Sequence, residues 1–318
     1  MAGGHCGTGA DPTCIENGYG YIPSRSATTI MVVFFSISTI VHMGQATVRK
    51  QWYLFPTAIL CGILEILGWA YRLKSHFEPF AKDPFKIQTI ATILGPTPLL
   101  AANFVIFGNI IRALGTDYSR ITPKWYTIIF CGCDLISLFV QGGGGGVAAS
   151  SGGDLEIANR GANIMLGGII FQLVAIVAYS CLCTEYLIRY TKKRPIARIN
   201  QTHKDYSSRG ELTKKLKLML LGLILNLTFL FIRAIYRVAE LSEGWTGRII
   251  KTEVYFNWLD GAMIVLAMYA FNFFHPGWLL FSRTTYKNYK EYKTAPLENK
   301  SNIAMINYNH NNVERQVA

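Results

Sequence analysis

The sequence predicts an all-α integral membrane protein: a seven-transmembrane-helix bundle with its N-terminus outside and its C-terminus cytoplasmic. Three observations predict this. The 318 residues are 51% hydrophobic and only 16% charged, with a mean hydropathy of +0.25, too apolar for a soluble domain of this size. The apolar residues come in seven blocks of about 20, the length that crosses a bilayer as a helix. Lysine and arginine are shared unevenly among the segments that join the blocks.

Residues 1–26 are Gly-rich and polar, without the basic and apolar regions of a signal peptide, so the first span serves as the insertion signal. This segment is read as extracytoplasmic, where Cys6 and Cys14 could pair as a disulfide. The membrane domain, 27–280, has spans at 27–48, 52–72, 87–111, 125–147, 162–187, 216–238 and 254–275, with Trp52, Tyr71, Trp125, Tyr126, Tyr190 and Trp278 near their ends. With the N-terminus outside, the inner segments hold 21 of the 31 basic residues, the outer segments hold nine, and Arg233 lies within a span. The net charge of +12 therefore reports topology and contact with anionic lipid, not nucleic acid. The basic loop 189–217 is a solvated cytoplasmic face, and its sequon at Asn200 should stay unmodified there. Residues 281–318 form a polar, Asn-rich tail, predicted to be cytoplasmic and disordered apart from a short interfacial helix at 286–292. Cys61, Cys131, Cys133, Cys181 and Cys183 lie in apolar runs as packing residues, and neither C-x-C pair has zinc-site spacing.

The polar residues inside the spans carry the functional signal. Span two has Glu65 and Arg72, seven apart; span four has Asp134 and Gln141, also seven apart. Arg233, Arg237 and Glu240 recur at i, i+4 and i+7 in span six, as do Glu253, Asn257 and Asp260 in span seven. Span five adds Gln172, and span three adds Gln88 ahead of a break at Gly95-Pro96-Thr97-Pro98. A charge at the bilayer centre costs about 2.5–3.5 kcal/mol on insertion scales, so such stripes face the bundle interior and mark paths or sites. Asp134 falls near the midplane and the others lie toward the outer side; the inner halves read as apolar, with His42 the main exception. Two readings stand: structural ion pairs, for instance Arg233 with Asp134 or Asp260, or an outward-facing polar cavity suited to an amphiphile with a polar or cationic head. Gly142, Gly143, Gly144, Gly145 and Gly146 end span four, either as a helix end fraying into a loop or as a flexible gate, with Pro96 and Pro98 a second flexible point. There is no G-x-x-x-x-G-K-[ST], no H-E-x-x-H and no nucleophile elbow. The expectation is no catalytic residue, no ATP binding by this chain, no metal and no cofactor.

Taken together, these pieces resemble the fungal lipid-translocating exporter family, seven-span proteins linked to aminocholesterol resistance and sphingoid-base release. The matching stretches are 19–24 (YGYIPS), 65–72 (EILGWAYR), 98–102 (PLLAA), 134–146 (DLISLFVQGGGGG), 167–172 (GGIIFQ), 233–240 (RAIYRVAE), 253–260 (EVYFNWLD) and His275-Pro276-Gly277. They occur in family order across roughly residues 19–280. Trp69 stands where the family pattern has Tyr or Phe, and Val105 and Asn109 stand where it has Tyr and Arg. The resemblance implies a fungal plasma-membrane protein that moves sphingoid bases, sterol-like lipids or other toxic amphiphiles and confers resistance to them. Its partners would be membrane lipids and amphiphilic substrates. A seven-span lipid receptor that controls other exporters, and a porphyrin transporter, are the alternatives. The sequence leaves substrate, direction, coupling ion and oligomeric state open.

Overall fold

The computed structural model describes residues 19–151, 154–196, 210–244 and 247–280, and these are helices and turns without strands. Cys6, Cys14, the Asn200 sequon and the C-terminal tail lie outside the described residues. In chain order the helices are α1 (Arg25–Arg49), α2 (Leu60–Phe77), α3 (Lys82–Leu94), α4 (Pro96–Leu114), α5 (Pro123–Ala149), α6 (Leu155–Thr191), α7 (Lys214–Ser242), α8 (Glu253–Tyr255), α9 (Met263–Phe273) and α10 (Pro276–Leu279). They make seven segments long and apolar enough to cross a membrane. Most are longer than their apolar runs because polar residues at the ends continue the helix. α6, predicted at 162–187, runs to 37 residues.

Local chemistry sets the ends. Asp154 caps α6, its carboxylate accepting from the backbone N–H groups of Glu156 and Ile157, and the Thr213 hydroxyl accepts from Leu216 N at the start of α7. Pro123 occupies the first turn of α5, where a missing N–H costs nothing. Two spans carry π-helical turns, Phe55–Ile59 before α2 and Phe256–Ala262 between α8 and α9. Such a turn inserts an extra residue and re-aims the side chains after it, and the second one carries Asp260.

α4 is the central helix, with thirteen buried residues distributed around it. In the half of the bundle distant from Tyr19, Phe104, Phe107, Tyr126, Phe130, Tyr179 and Tyr186 form one aromatic cluster. That half is more polar than the apolar reading allowed. Asn103 and Asn226 are both fully buried; Asn103 Nδ2 donates to Asn226 Oδ1 at 2.7 Å, and Asn226 Nδ2 donates to Ala267 O at 2.7 Å. Of the five cysteines described, only Cys61 is buried, and Cys181 is exposed on the outer surface of α6.

The glycine run does not fray. α5 continues as a helix through it to Ala149. A Cβ on Gly144 would sit 2.7 Å from Gly161 O and from Met165 N, and one on Gly161 would sit 2.6 Å from Gly144 O. A Cβ on Gly168 would meet Gln141 Cγ at 2.8 Å. These glycines let α5 and α6 touch backbone to backbone, as small residues do between membrane helices. Gly142, Gly143 and Gly146 face open space. Gly144→Val is therefore expected to lower the melting temperature of the detergent-purified protein, through overpacking of about 1–3 kcal/mol. Gly146→Ala should not lower it; equal melting temperatures for both variants would refute the contact.

Candidate functional site

Backbone chemistry prepares the centre of the site. Pro96 has no N–H, so the carbonyl four residues earlier, on Thr92, is released from the helical ladder. Arg233 Nη2 donates to that carbonyl at 2.7 Å. Gly95, between α3 and α4, makes room for Glu65: a Cβ there would collide with the Glu65 carboxylate.

Around this break, α7 and the π-helical turn of the last span build an ion cluster. Arg237 grips Asp260 with two parallel bonds, Nε to Oδ1 at 2.8 Å and Nη2 to Oδ2 at 2.9 Å. Its Nη1 donates to Glu240 Oε2 at 2.9 Å, and its Nη2 reaches Thr92 Oγ1 at 3.3 Å. Arg233 Nε lies 2.8 Å from Asp260 Oδ1, and the Tyr236 hydroxyl donates to Glu240 Oε1 at 2.9 Å. All four charged groups are buried. Two cations thus face two carboxylates, the arrangement that buried charge requires. Of the pairings expected for Arg233, the one with Asp260 forms and the one with Asp134 does not. Glu65 is fully buried beside the cluster, with the Trp69 indole N–H beside its oxygens and, among the described residues, no cation within ion-pair distance.

A second group closes the end of the bundle that carries Tyr19. The Arg72 guanidinium is stacked among Phe256, Tyr19, Tyr21 and Trp69, with its carbon 4.5–5.6 Å from the ring centroids. Its Nη2 donates to Tyr21 Oη at 2.8 Å. Burial pushes the Tyr21 phenol above its ordinary range against the opposing pull of Arg72, so it stays neutral. Glu253 Oε1 accepts from Ser24 N at 2.8 Å and lies 3.5 Å from Arg72 Nη2. Tyr19 Oη lies 3.1 Å from Ser75 Oγ, and His76 Nδ1 lies 2.9 Å from Pro23 O. Residues 19–24 are thus a strap across the mouth, a role that no periodicity in the spans could have disclosed.

A third group lies between α5 and α6. Gln141 Nε2 donates to Gln172 Oε1 at 3.2 Å, and Gln172 Nε2 donates to Asp134 Oδ1 at 3.3 Å. Asp134 is almost fully buried, its Oδ2 has no partner, and among the described residues no cation comes within ion-pair distance of it.

The three groups wall two clefts. One, with about 20 Å³ of open space, is lined by Pro96 and Leu100 with Gln141, Gln172, Arg233 and Arg237. The other, with about 40 Å³ of open space, lies under the strap against Tyr19, Tyr21, Arg72, Arg237, Glu240 and Phe256. Both are narrow in this conformation, with open space for little beyond water-sized groups. Arg237 lines both, so the ion cluster is the partition between them. The predicted residues are therefore gathered on one side of the bundle, as three linked groups and not as one open cavity. The sequence reading missed Thr92, Tyr236 and Phe256; only the proline four residues after Thr92 hinted at its freed carbonyl.

Comparison with known proteins places this geometry in context. The family model described as RTA1 like protein matches residues 58–283. The sphingoid long-chain base transporter RSB1 of Saccharomyces cerevisiae is 29% identical over 288 residues, covering 84% of this chain and 75% of the relative. The lipid-translocating exporter-like protein RTA1 of Leptosphaeria maculans is 24% identical, covering 84% of this chain and 52% of the relative. Protein RTM1 of S. cerevisiae is 22% identical, covering 80% of this chain and 89% of the relative. No solved structure matches the chain.

Proposed function

We propose that this chain, which belongs to the RTA1-like protein family, translocates amphiphilic lipids with a cationic amine head, of the sphingoid-base class, across the membrane. The single observation that carries the reading is Asp134. Asp260 and Glu240 are already held by arginines. Glu65 is walled in behind Gly95. Asp134 keeps a free oxygen midway along α5, one amide away from the cleft that Gln172 lines. An ammonium group there gains a partner in low dielectric, while Gln141, Gln172 and Arg233 meet the hydroxyls beside it. The alkyl chain stays against the apolar outer faces of α5 and α6. The names of the relatives support the same substrate class.

The conformation described is closed, and loading requires the clefts to widen. Undocking of the strap opens the mouth, and the Gly144–Gly161 contact between α5 and α6 is the seam that can slide. The plasma membrane is the proposed location, and the chain acts as a carrier and not as an enzyme.

The test is reconstitution of the purified full-length chain in liposomes, with fluorescent sphingoid base, phospholipid and sterol followed across the bilayer. Net movement of the amine-bearing lipid is the expected result. Binding without movement would make the protein a sensor that controls other exporters. The proposed orientation puts the strap outside, following the basic loops. A glycosylation tag on the N-terminus should be modified and one on the C-terminal tail should not; the reverse pattern would turn the site toward the cytoplasm.

A further inference from the structure

The ion cluster is balanced without Glu65. Arg233 and Arg237 are matched by Asp260 and Glu240, and among the described residues no cation lies within ion-pair distance of Glu65. The charged and titratable groups facing it are Cys61 on its own helix, Arg233 and Arg237 on α7, and Asp260 on the last span. The Trp69 indole N–H, one turn on, is the donor beside its oxygens, and the α3–α4 break packs around the carboxyl. A carboxyl group so placed gains little from ionising until a cation turns toward it.

A second observation supplies a route. Along the seam between α1 and the last span, five buried polar atoms have no protein partner: His42 Nδ1, Gln45 Oε1, Arg49 Nε, Asn272 Oδ1 and His275 Nε2. His42, Gln45 and Arg49 stand at i, i+3 and i+7 on one face of α1. Such a file of unpartnered polar atoms offers the positions to which a chain of waters would bond. The file reaches toward Glu65. Thr39, one turn before His42, touches Gly62, one turn before Glu65 on α2. The path leads away from the strap, to the opposite face of the bundle.

We propose that Glu65 is the proton-exchanging carboxyl group of the transport cycle, exchanging one proton for each lipid ammonium moved. This rests on the lipid-transport reading above. Arg233 lines the cleft that would receive the ammonium. A cation entering there repels the guanidinium, which turns from Asp260 toward Glu65. The Glu65 O–H bond breaks, the proton leaves along the α1 seam to bulk water, and the carboxylate that remains takes Arg233. Asp260 keeps Arg237. One positive charge enters the site as another leaves, so the exchange is electroneutral.

The experiment uses the full-length protein in liposomes with a pH dye in the lumen and a fluorescent N-trimethylated sphingoid base, whose fixed charge carries no proton itself. Wild type should move this base with a lumenal pH change of one proton per molecule. An imposed pH gradient should accelerate movement, and a membrane potential should not. Glu65→Gln should keep exchange of the base without a gradient, lose the pH signal and slow gradient-driven uptake at least tenfold. Glu156→Gln, in an exposed pair with Arg160, should match wild type. Base movement by wild type without a pH change overturns the proposal and leaves the transport reading standing. Should wild type move no base, the transport reading fails, and infrared spectroscopy of the purified protein decides the rest. A protonated-carboxyl band absent from Glu65→Gln supports a proton held at Glu65; no such band overturns it.

Discussion

Asp134→Asn is expected to reduce movement of an amine-bearing lipid by about 30- to 1,000-fold while leaving the protein folded in the membrane. The magnitude follows from the loss of a buried charge partner, about 2–4 kcal/mol, at about 1.4 kcal/mol per tenfold. The fold should tolerate the change because the amide keeps an oxygen to accept from Gln172, and the oxygen it replaces bonds to nothing. The second Asp134 oxygen has no protein partner to lose, so the melting temperature should hold. This separates a binding role from a structural one, since a structural acid would lose stability and flux together. Lipids without an amine provide the second axis. If the variant loses their movement equally, Asp134 does not read the headgroup; if it keeps full movement of the sphingoid base, the amine site lies elsewhere.

The architecture was legible because a bilayer leaves few choices. Seven apolar blocks fix seven helices, and helical spacing places Arg233, Arg237 and Glu240 on one face before any partner is known. What periodicity cannot give is the rotation of one helix against the next, and pairing depends on that. Arg233 reads as a partner for Asp134 or Asp260 with equal force. The π-helical turn Phe256–Ala262, which brings Asp260 inward, has no spacing signature of its own. The glycine run shows the same limit. Its composition fits a fraying end as well as a flexible gate, and the close approach of α5 to Gly161 and Gly168 on α6 depends on residues outside the run. Asn103 and Asn226 give no signal in the sequence because each stands alone in an apolar run, and their bond exists only once α4 and α7 meet.

Arg237→Ala carries the largest expected loss of stability. The side chain satisfies both oxygens of Asp260, one of Glu240 and the Thr92 hydroxyl. Its removal leaves Asp260 with Arg233 alone and Glu240 with only the Tyr236 hydroxyl. Breaking a buried pair from one side costs about 3–5 kcal/mol, because the remaining charge is stranded. Against a total stability of about 5–15 kcal/mol, that should appear as a sharp fall in monodisperse yield and melting temperature. Arg237→Lys should fall between, since an ammonium keeps the charge but cannot grip Asp260 with two parallel bonds. Asp260→Asn on the Arg237→Ala background should recover part of the loss by removing the stranded carboxylate. A double variant no better than Arg237→Ala would mean that the stability comes from packing and not from charge, and an Arg237→Ala protein as stable as wild type would mean that no closed cluster exists. The double variant also bears on transport. With Arg237 and the Asp260 charge both gone, Arg233 faces Glu65 as the nearest remaining acid. If Glu65 exchanges the proton, a refolded double variant should bind the lipid amine at Asp134 yet move it without a pH change, because the proton site is then held by a permanent cation.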